Sequence, residues 1–323
     1  MKLGGWSTRI LAALGLVIYT AGVFAAPLSI GFVAPDEELR YTNLLLGLRQ
    51  GLDAAGVGAK NVHIAEYRVP RGNSAKALNA AQSLSAGRVR VVFVVGTELT
   101  KAVRSVAKEL PIVFITPGDP VRAGLAASLA HPGNNLTGMT FEFPELSAKR
   151  LELLKEIAPS ARRVGVVFDP RDGSPRQGFA VTEVAAARLG MQLVELDVET
   201  LSRSGNTLAR AEKLDGLVLI PGGAISTVIE TAVKLAAAQR IASVVWARNE
   251  ATREAILSYG ANDVEVARNA ARLIVRVLDG QRAGDLPIEQ PTRFELIVNL
   301  KAAKALGITI PQSVLVRADE VIQ

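Results

Sequence analysis

The sequence predicts an α/β protein built from two doubly wound, Rossmann-like lobes joined by a multi-segment hinge. Three observations carry this. Short β-branched runs alternate with amphipathic stretches, the pattern of a parallel sheet covered by helices. The alternation closes near Gly138 to Pro144 and then starts again. The last seventy or so residues are too few to bury two faces on their own, so they complete the two existing lobes, which requires several crossings between them.

The chain of 323 residues opens on a different kind of segment. Lys2 and Arg9 precede the charge-free run Ile10 to Val23, and Val23-Phe24-Ala25 stands ahead of Ala26-Pro27. This is the layout of a secretory signal peptide over residues 1–25, cleaved near Ala25. The apolar run falls short of the roughly twenty residues of a permanent span. A single retained N-terminal anchor is the alternative. The chain contains no cysteine, so it is neither a lipoprotein nor cross-linked by disulfides. Removing Lys2 and Arg9 leaves 35 basic residues against 31 acidic ones, a net charge of +4 in place of +6. The excess is dispersed, and few aromatics accompany it, which excludes nucleic acid as the expected partner. A periplasmic monomer is expected.

Lobe I is expected over residues 26–140, completed by about 258–283. Leu28 to Val33 reads as its first strand, followed by a helix from Glu38 to Ala55, a strand from His63 to Arg68 and a helix from Ser74 to Ala86. Val91 to Val95 is wholly apolar, as a strand covered on both faces should be. Helix Leu99 to Leu110 and strands Ile112 to Ile115 and Leu136 to Phe141 follow. Lobe II is expected over 141–257, completed by about 284–323. Pro144 opens a helix whose Leu146, Leu151, Leu154 and Ile157 form an apolar stripe. Strands Val164 to Phe168, Gln192 to Leu196, Leu217 to Ile220 and Val244 to Trp246 alternate with helices near 175–189, 200–212 and 226–239. Asn262 with Glu265 suits a capping box for a helix buried through Ala267, Ala271, Ile274 and Leu278 and ended by Gly280. Phe294 to Val298 is a strand, and Ala302 to Leu306 a short helix stopped by Gly307.

Catalytic chemistry is sparse. His63 and His131 are the only histidines, and neither has metal-site spacing around it, so no metal site and no cofactor are expected. G-x-S-x-G, the phosphate-binding G-x-x-x-x-G-K-[ST] and a G-x-G-x-x-G after the first strand are all missing. Ser105 and Lys108 match a serine–lysine spacing but stand on an amphipathic helix without the companion motifs.

Polar residues instead gather at the carboxyl ends of the predicted strands, the edge where open α/β sheets bind ligands. They are Asp36 and Tyr41 after the first strand, Thr97 and Glu98 after the third, and Thr116 and Asp119 after the fourth. Glu142 lies at the first crossing. Asp169, Trp246, Arg248 and Tyr259 come from the second half. Arg248 could hold a carboxylate bidentately, while Asp36, Glu98 or Asp119 could receive an amine. Trp246 is either a core anchor or a wall of the cleft. Tyr259 is either a sheet-end residue or a contact.

An ordered series of short motifs adds to this reading. It runs Pro111-Ile-Val-Phe114, Asp119-Pro-Val, Gly124-Leu, Pro132-Gly133-Asn134, Leu136-Thr-Gly138 and Lys149 to Glu156. It continues through Leu286 to Thr292, Asn299-Leu-Lys, Ala305 to Pro311 and Arg317-Ala-Asp-Glu-Val-Ile322. Together these resemble the substrate-binding proteins of a bacterial ABC-transporter family that includes the tryptophan/tyrosine-type binding proteins. The resemblance implies a type I periplasmic binding protein fold with three hinge segments and no catalysis. It also implies delivery of a small-molecule solute (an amino acid, an aromatic compound or a related carboxylate) to an ABC permease in the inner membrane, powered by a separate ATPase. One departure stands out: the family's Gly-Gly-Leu-Met-Ser-Tyr-Gly stretch reads Glu254-Ala-Ile-Leu-Ser-Tyr-Gly260 here. A periplasmic sensor subunit feeding a signalling receptor is the alternative function, and a periplasmic small-molecule enzyme a more distant one.

Overall fold

The computed structural model describes residues 28–36, 38–57, 62–70, 73–87, 89–141, 144–171, 173–203, 213–222, 225, 228–246 and 254–323. The expected signal peptide, Glu142, Arg248 and most of the expected helix near 200–212 lie outside them. Among the described residues no helix is long and apolar enough to cross a membrane.

In lobe I, strands β1 (Leu28–Pro35), β2 (Val62–Val69), β3 (Val89–Val95), β4 (Ile112–Thr116) and β5 (Leu136–Thr140) pair in the order β2-β1-β3-β4-β5. Every pairing is parallel. All five residues of β4 and of β5 are buried, as the apolar runs predict for strands covered on both faces. Helices α1 (Glu38–Ala54), α2 (Ser74–Ala86) and α3 (Thr97–Val106) connect the strands. The third helix starts two residues before the expected Leu99 and stops four before the expected Leu110. Gly96 supplies the turn into it at φ 102°, and the chain beyond it is held open by Asn135, whose Nδ2 donates to the carbonyls of Ala107 and Leu110 at 3.0 and 2.6 Å.

In lobe II, α4 (Pro144–Ile157), β6 (Arg163–Phe168), α5 (Gly173–Leu189), β7 (Gln192–Asp197), α6 (Val198–Arg203), β8 (Gly216–Leu219), α7 (Ile229–Ala238) and β9 (Ala242–Val245) follow in order. Then come β10 (Leu257–Gly260), α8 (Asp263–Leu278), β11 (Glu295–Asn299), α9 (Leu300–Leu306), α10 (Gln312–Leu315) and β12 (Glu320–Ile322). The second sheet has the order β12-β11-β10-β9-β8-β6-β7. It is parallel except where β11 runs antiparallel to β10. The antiparallel direction of β11 and the strands β10 and β12 are features the alternating pattern does not announce.

The sheet memberships place the crossings. Strand β10 belongs to the second sheet, whereas α8 packs its Val266, Ala267, Ala270, Ala271 and Ile274 into the core of lobe I with Leu44 and Leu48 of α1. The chain thus leaves the second sheet after Gly260 and enters the core of lobe I with α8. Asn262 caps α8 by accepting the Glu265 amide at 3.0 Å, and its Nδ2 donates to both carboxylate oxygens of Glu295 in β11. Beyond α8 the chain stays with lobe I through Glu289, whose amide donates to the Gly138 carbonyl at 2.9 Å. It joins the second sheet at β11.

Candidate functional site

The carboxyl ends of β1, β3 and β4 face the carboxyl end of β6 across a cavity of about 980 Å³. Lobe I supplies most of the lining, including Val69, Asn73, Thr97, Glu98, Leu99, Lys101, Asp119 and Arg122. Lobe II supplies Asp169, Arg171, Gly173 and Ser174.

Several lining residues are fixed locally. Asn73 accepts the Lys76 amide at 2.9 Å and so starts α2 at the cavity edge. At the start of α3, the Thr100 amide and hydroxyl both donate to the Gly96 carbonyl, at 3.0 and 2.7 Å. Thr97 and Glu98 consequently begin the helix at the rim. Asp119 folds its own loop by accepting the amides of Val121 and Arg122 at 2.8 and 3.3 Å, and pairs with Arg122 Nε at 3.5 Å. Across the cavity Asp169 does the same, accepting Arg171 N at 3.0 Å, Nε at 2.8 Å and Nη2 at 3.1 Å. The lobes touch where Ser174, in the first turn of α5, stands against Gly118. Gly118 is at φ 79°, and Thr140 Oγ1 donates to its carbonyl.

The electrostatics of the cleft are mixed. Lys101, Arg122 and Arg171 stand with Glu98, Asp119 and Asp169, while Val69, Val95, Leu99, Ala102 and three prolines give it aliphatic walls. Hydrogen bonds from Arg171 hold the Asp169 carboxyl below the usual carboxylate range, against an opposing push from burial. Backbone amides do the same for Asp215 and Asp319 elsewhere in lobe II. These folded-state values lie below the unfolded ones, so the stability they contribute is complete above about pH 4 and is lost as pH falls through the folded values. Buried Asp263 has the opposite sign, because burial raises it more than Arg40 lowers it. Thermal scans from about pH 5 down to about pH 2.5 should therefore show a falling midpoint, and Asp215→Asn should flatten that fall.

Of the residues singled out in the sequence, Thr97, Glu98, Asp119 and Asp169 line this cavity. Thr116 lies directly beneath it, fully buried and hydrogen-bonded to Thr97. Asp36 sits beside the lining residue Pro35, exposed and paired with Arg68 at 3.6 Å. Tyr41 is not at the cleft. It is 1% exposed, packs on Phe32, donates its hydroxyl to Glu66 Oε2 at 2.8 Å and lies under the Arg68 guanidinium. Burial, then the Glu66 carboxylate, push its phenol well above the ordinary range. Trp246 is 7% exposed within the hydrophobic core of lobe II, the anchor alternative. Tyr259 packs against Phe294, and its carbonyl accepts Nε of the fully buried Arg150 at 2.9 Å. Strand-end position does not single out Arg122, Arg171, Ser174 or Gly118; an arginine two or three residues after each loop aspartate is the available signal. No group of three or more potential metal ligands occurs among the described residues.

Residues 38–322 match the model of the family described as ABC transporter substrate binding protein. A tyrosine-binding protein of Clostridioides difficile (strain R20291) is 25% identical over 219 residues, covering 68% of this chain and 63% of the relative. The matched part thus spans less than two thirds of that relative's length. Among solved structures, a conserved domain protein from Vibrio cholerae O1 biovar eltor superposes with a TM-score of 0.80 at 27% identity, covering 91% of this chain and 99% of the other. An ABC domain in complex with L-Trp from Streptococcus pneumonia gives 0.81 at 22% identity, covering 92% and 100%.

Proposed function

The chain belongs to the ABC transporter substrate binding protein family, and on that premise we propose that it is an exported receptor for a zwitterionic amino acid with an apolar or aromatic side chain. One observation carries the choice of ligand class: a single interlobe cavity joins both signs of charge to aliphatic walls. Arg122 and Arg171 suit the carboxylate, Asp119 and Glu98 the ammonium, and Val69, Leu99 and the prolines the side chain. The volume falls within the range of small-molecule sites. The tyrosine-binding relative and the L-Trp complex favour aromatic members of that class. Closure of the lobes at Gly118 and Ser174 removes apolar ligand surface from water and strengthens the charge pairing. The loaded form is then presented to an inner-membrane permease driven by a separate ATPase. The basic N-terminus and its apolar run support export with cleavage near Ala25.

A thermal-shift screen of the chain from Ala26 onward, against amino acids, their deaminated counterparts and sugars, tests this reading. A ligand at a hundred times its Kd adds about 2.7 kcal/mol, a shift of roughly 5–10 °C. Aromatic or large aliphatic amino acids should give it and be recovered unchanged. Silence across the panel, from protein that releases nothing on denaturation, would refute the reading.

A further inference from the structure

Thr116 Oγ1 makes two contacts beneath the cleft floor, one with the carbonyl of Pro117 at 3.1 Å and one, very close, with Thr97 Oγ1. A threonine hydroxyl has a single proton, and a carbonyl can only accept. If Thr116 gave its proton to Thr97, its oxygen would face the Pro117 oxygen with no hydrogen between them. Only one assignment places a proton in both contacts: Thr116 donates to Pro117, and Thr97 donates to Thr116. The Thr97 proton is then spent inside the protein. What the Thr97 side chain offers the cavity is lone pairs alone.

We infer that Thr97 is a dedicated acceptor that reads the α-ammonium group of the ligand, and that Thr116 is the positioning residue that fixes this polarity. The inference rests on the amino-acid reading above and adds to it the atom that separates an amino acid from its deaminated acid. Thr116 suits the role because it is fully buried and cannot trade its partners for water. The polarity of the Thr97 hydroxyl is therefore set before a ligand arrives, so its proton does not have to be turned away from an incoming N–H group. The carboxylates of Glu98 and Asp119 line the same cavity and give the ammonium a favourable field. A ligand lacking the ammonium leaves the Thr97 lone pairs facing the closed cleft without a donor, an unfavourable state in a site from which water is excluded.

Isothermal titration should compare L-tyrosine and L-tryptophan with 3-(4-hydroxyphenyl)propionate and 3-indolepropionate. The proteins are the wild type and Thr97→Val, Thr116→Val and Thr116→Ser, each checked for an intact thermal transition. The wild type should prefer the amino acids. Thr97→Val should weaken them roughly ten- to a hundredfold while moving the deaminated acids by less than about threefold. Thr116→Val removes the acceptor for the Thr97 proton, so it should narrow the preference without touching ligand. Thr116→Ser keeps the hydroxyl and should restore it. Equal weakening of both ligand sets by Thr97→Val, or an unchanged preference in Thr116→Val, would overturn the assignment and leave the amino-acid reading standing. Should Thr116→Val fail to fold, Thr97→Val decides alone. If the wild type bound none of the four compounds, the amino-acid reading itself would fall, and this assignment with it.

Discussion

Gly51→Val in α1 is expected to destabilise lobe I by about 3 kcal/mol or to prevent it from folding. A Cβ at Gly51 would lie 2.5 Å from the Ala271 Cβ and 2.7 Å from the Arg268 carbonyl of α8; one at Gly47 would lie 2.1 Å from the Val264 carbonyl. The two glycines, one helical turn apart, let the axes of α1 and α8 approach until backbone meets backbone. Backbone cannot move aside as a side-chain tip can, so a branched side chain must push the whole of α8 away. That helix is what returns the chain from the second sheet to lobe I, so its displacement also exposes the apolar face formed by Val266, Ala270 and Ile274. Equilibrium urea unfolding measures the loss. Gly173→Ala is the matched control, since a Cβ there meets nothing within 4 Å, and it should leave the midpoint nearly unchanged.

Gly118→Val is expected to lower ligand affinity at least tenfold by acting on closure instead of on contacts. A Cβ at this position would stand 2.0 Å from Ser174 Oγ and 2.5 Å from Ser174 Cβ, across the line where the lobes meet. The serine hydroxyl can rotate away but its Cβ cannot, so the lobes must part. The variant also carries a side chain at φ 79°, a strain of about 1–2 kcal/mol that says nothing about closure. Gly124→Val isolates that contribution, because Gly124 sits on the same loop at φ 73° with nothing within 4 Å of its Cβ. Both variants should lose similar stability, and only Gly118→Val should lose affinity and retain an open, larger radius of gyration when saturated with ligand. Each 1.4 kcal/mol by which closure is penalised appears as a factor of ten in Kd.

Much of the fold is legible because hydrophobic period decides between strand and helix. Val91 to Val95 and Ile112 to Ile115 are short, β-branched apolar runs that form buried strands, and Asn262 with Glu265 marks the start of α8 to the residue. The same periodicity held information about the site that strand-end position alone obscures. Tyr41 stands close after β1, but it also falls in the helical series of Tyr41, Leu44, Leu48 and Leu52, all buried in α1, and the helix turns it inward. Asp119 and Asp169 are recoverable from their place at strand ends, whereas Arg122 and Arg171 are held by short-range turns that follow no period. The meeting of Gly118 with Ser174 joins residues from two separate sheets, and no local pattern encodes it. The antiparallel β11 is likewise set by tertiary pairing, since one strand's apolar pattern does not state its direction.

The central claim is that one solute lies between the lobes, held by residues of both. A crystal structure grown with the amino acid that gives the largest thermal shift tests this most directly. The ligand is expected in the cavity bounded by Thr97, Asp119 and Arg122 on one side and Asp169, Arg171 and Ser174 on the other, with its ammonium on Thr97 Oγ1. A ligand bound outside that cavity, or held by one lobe alone with the other free, would contradict it.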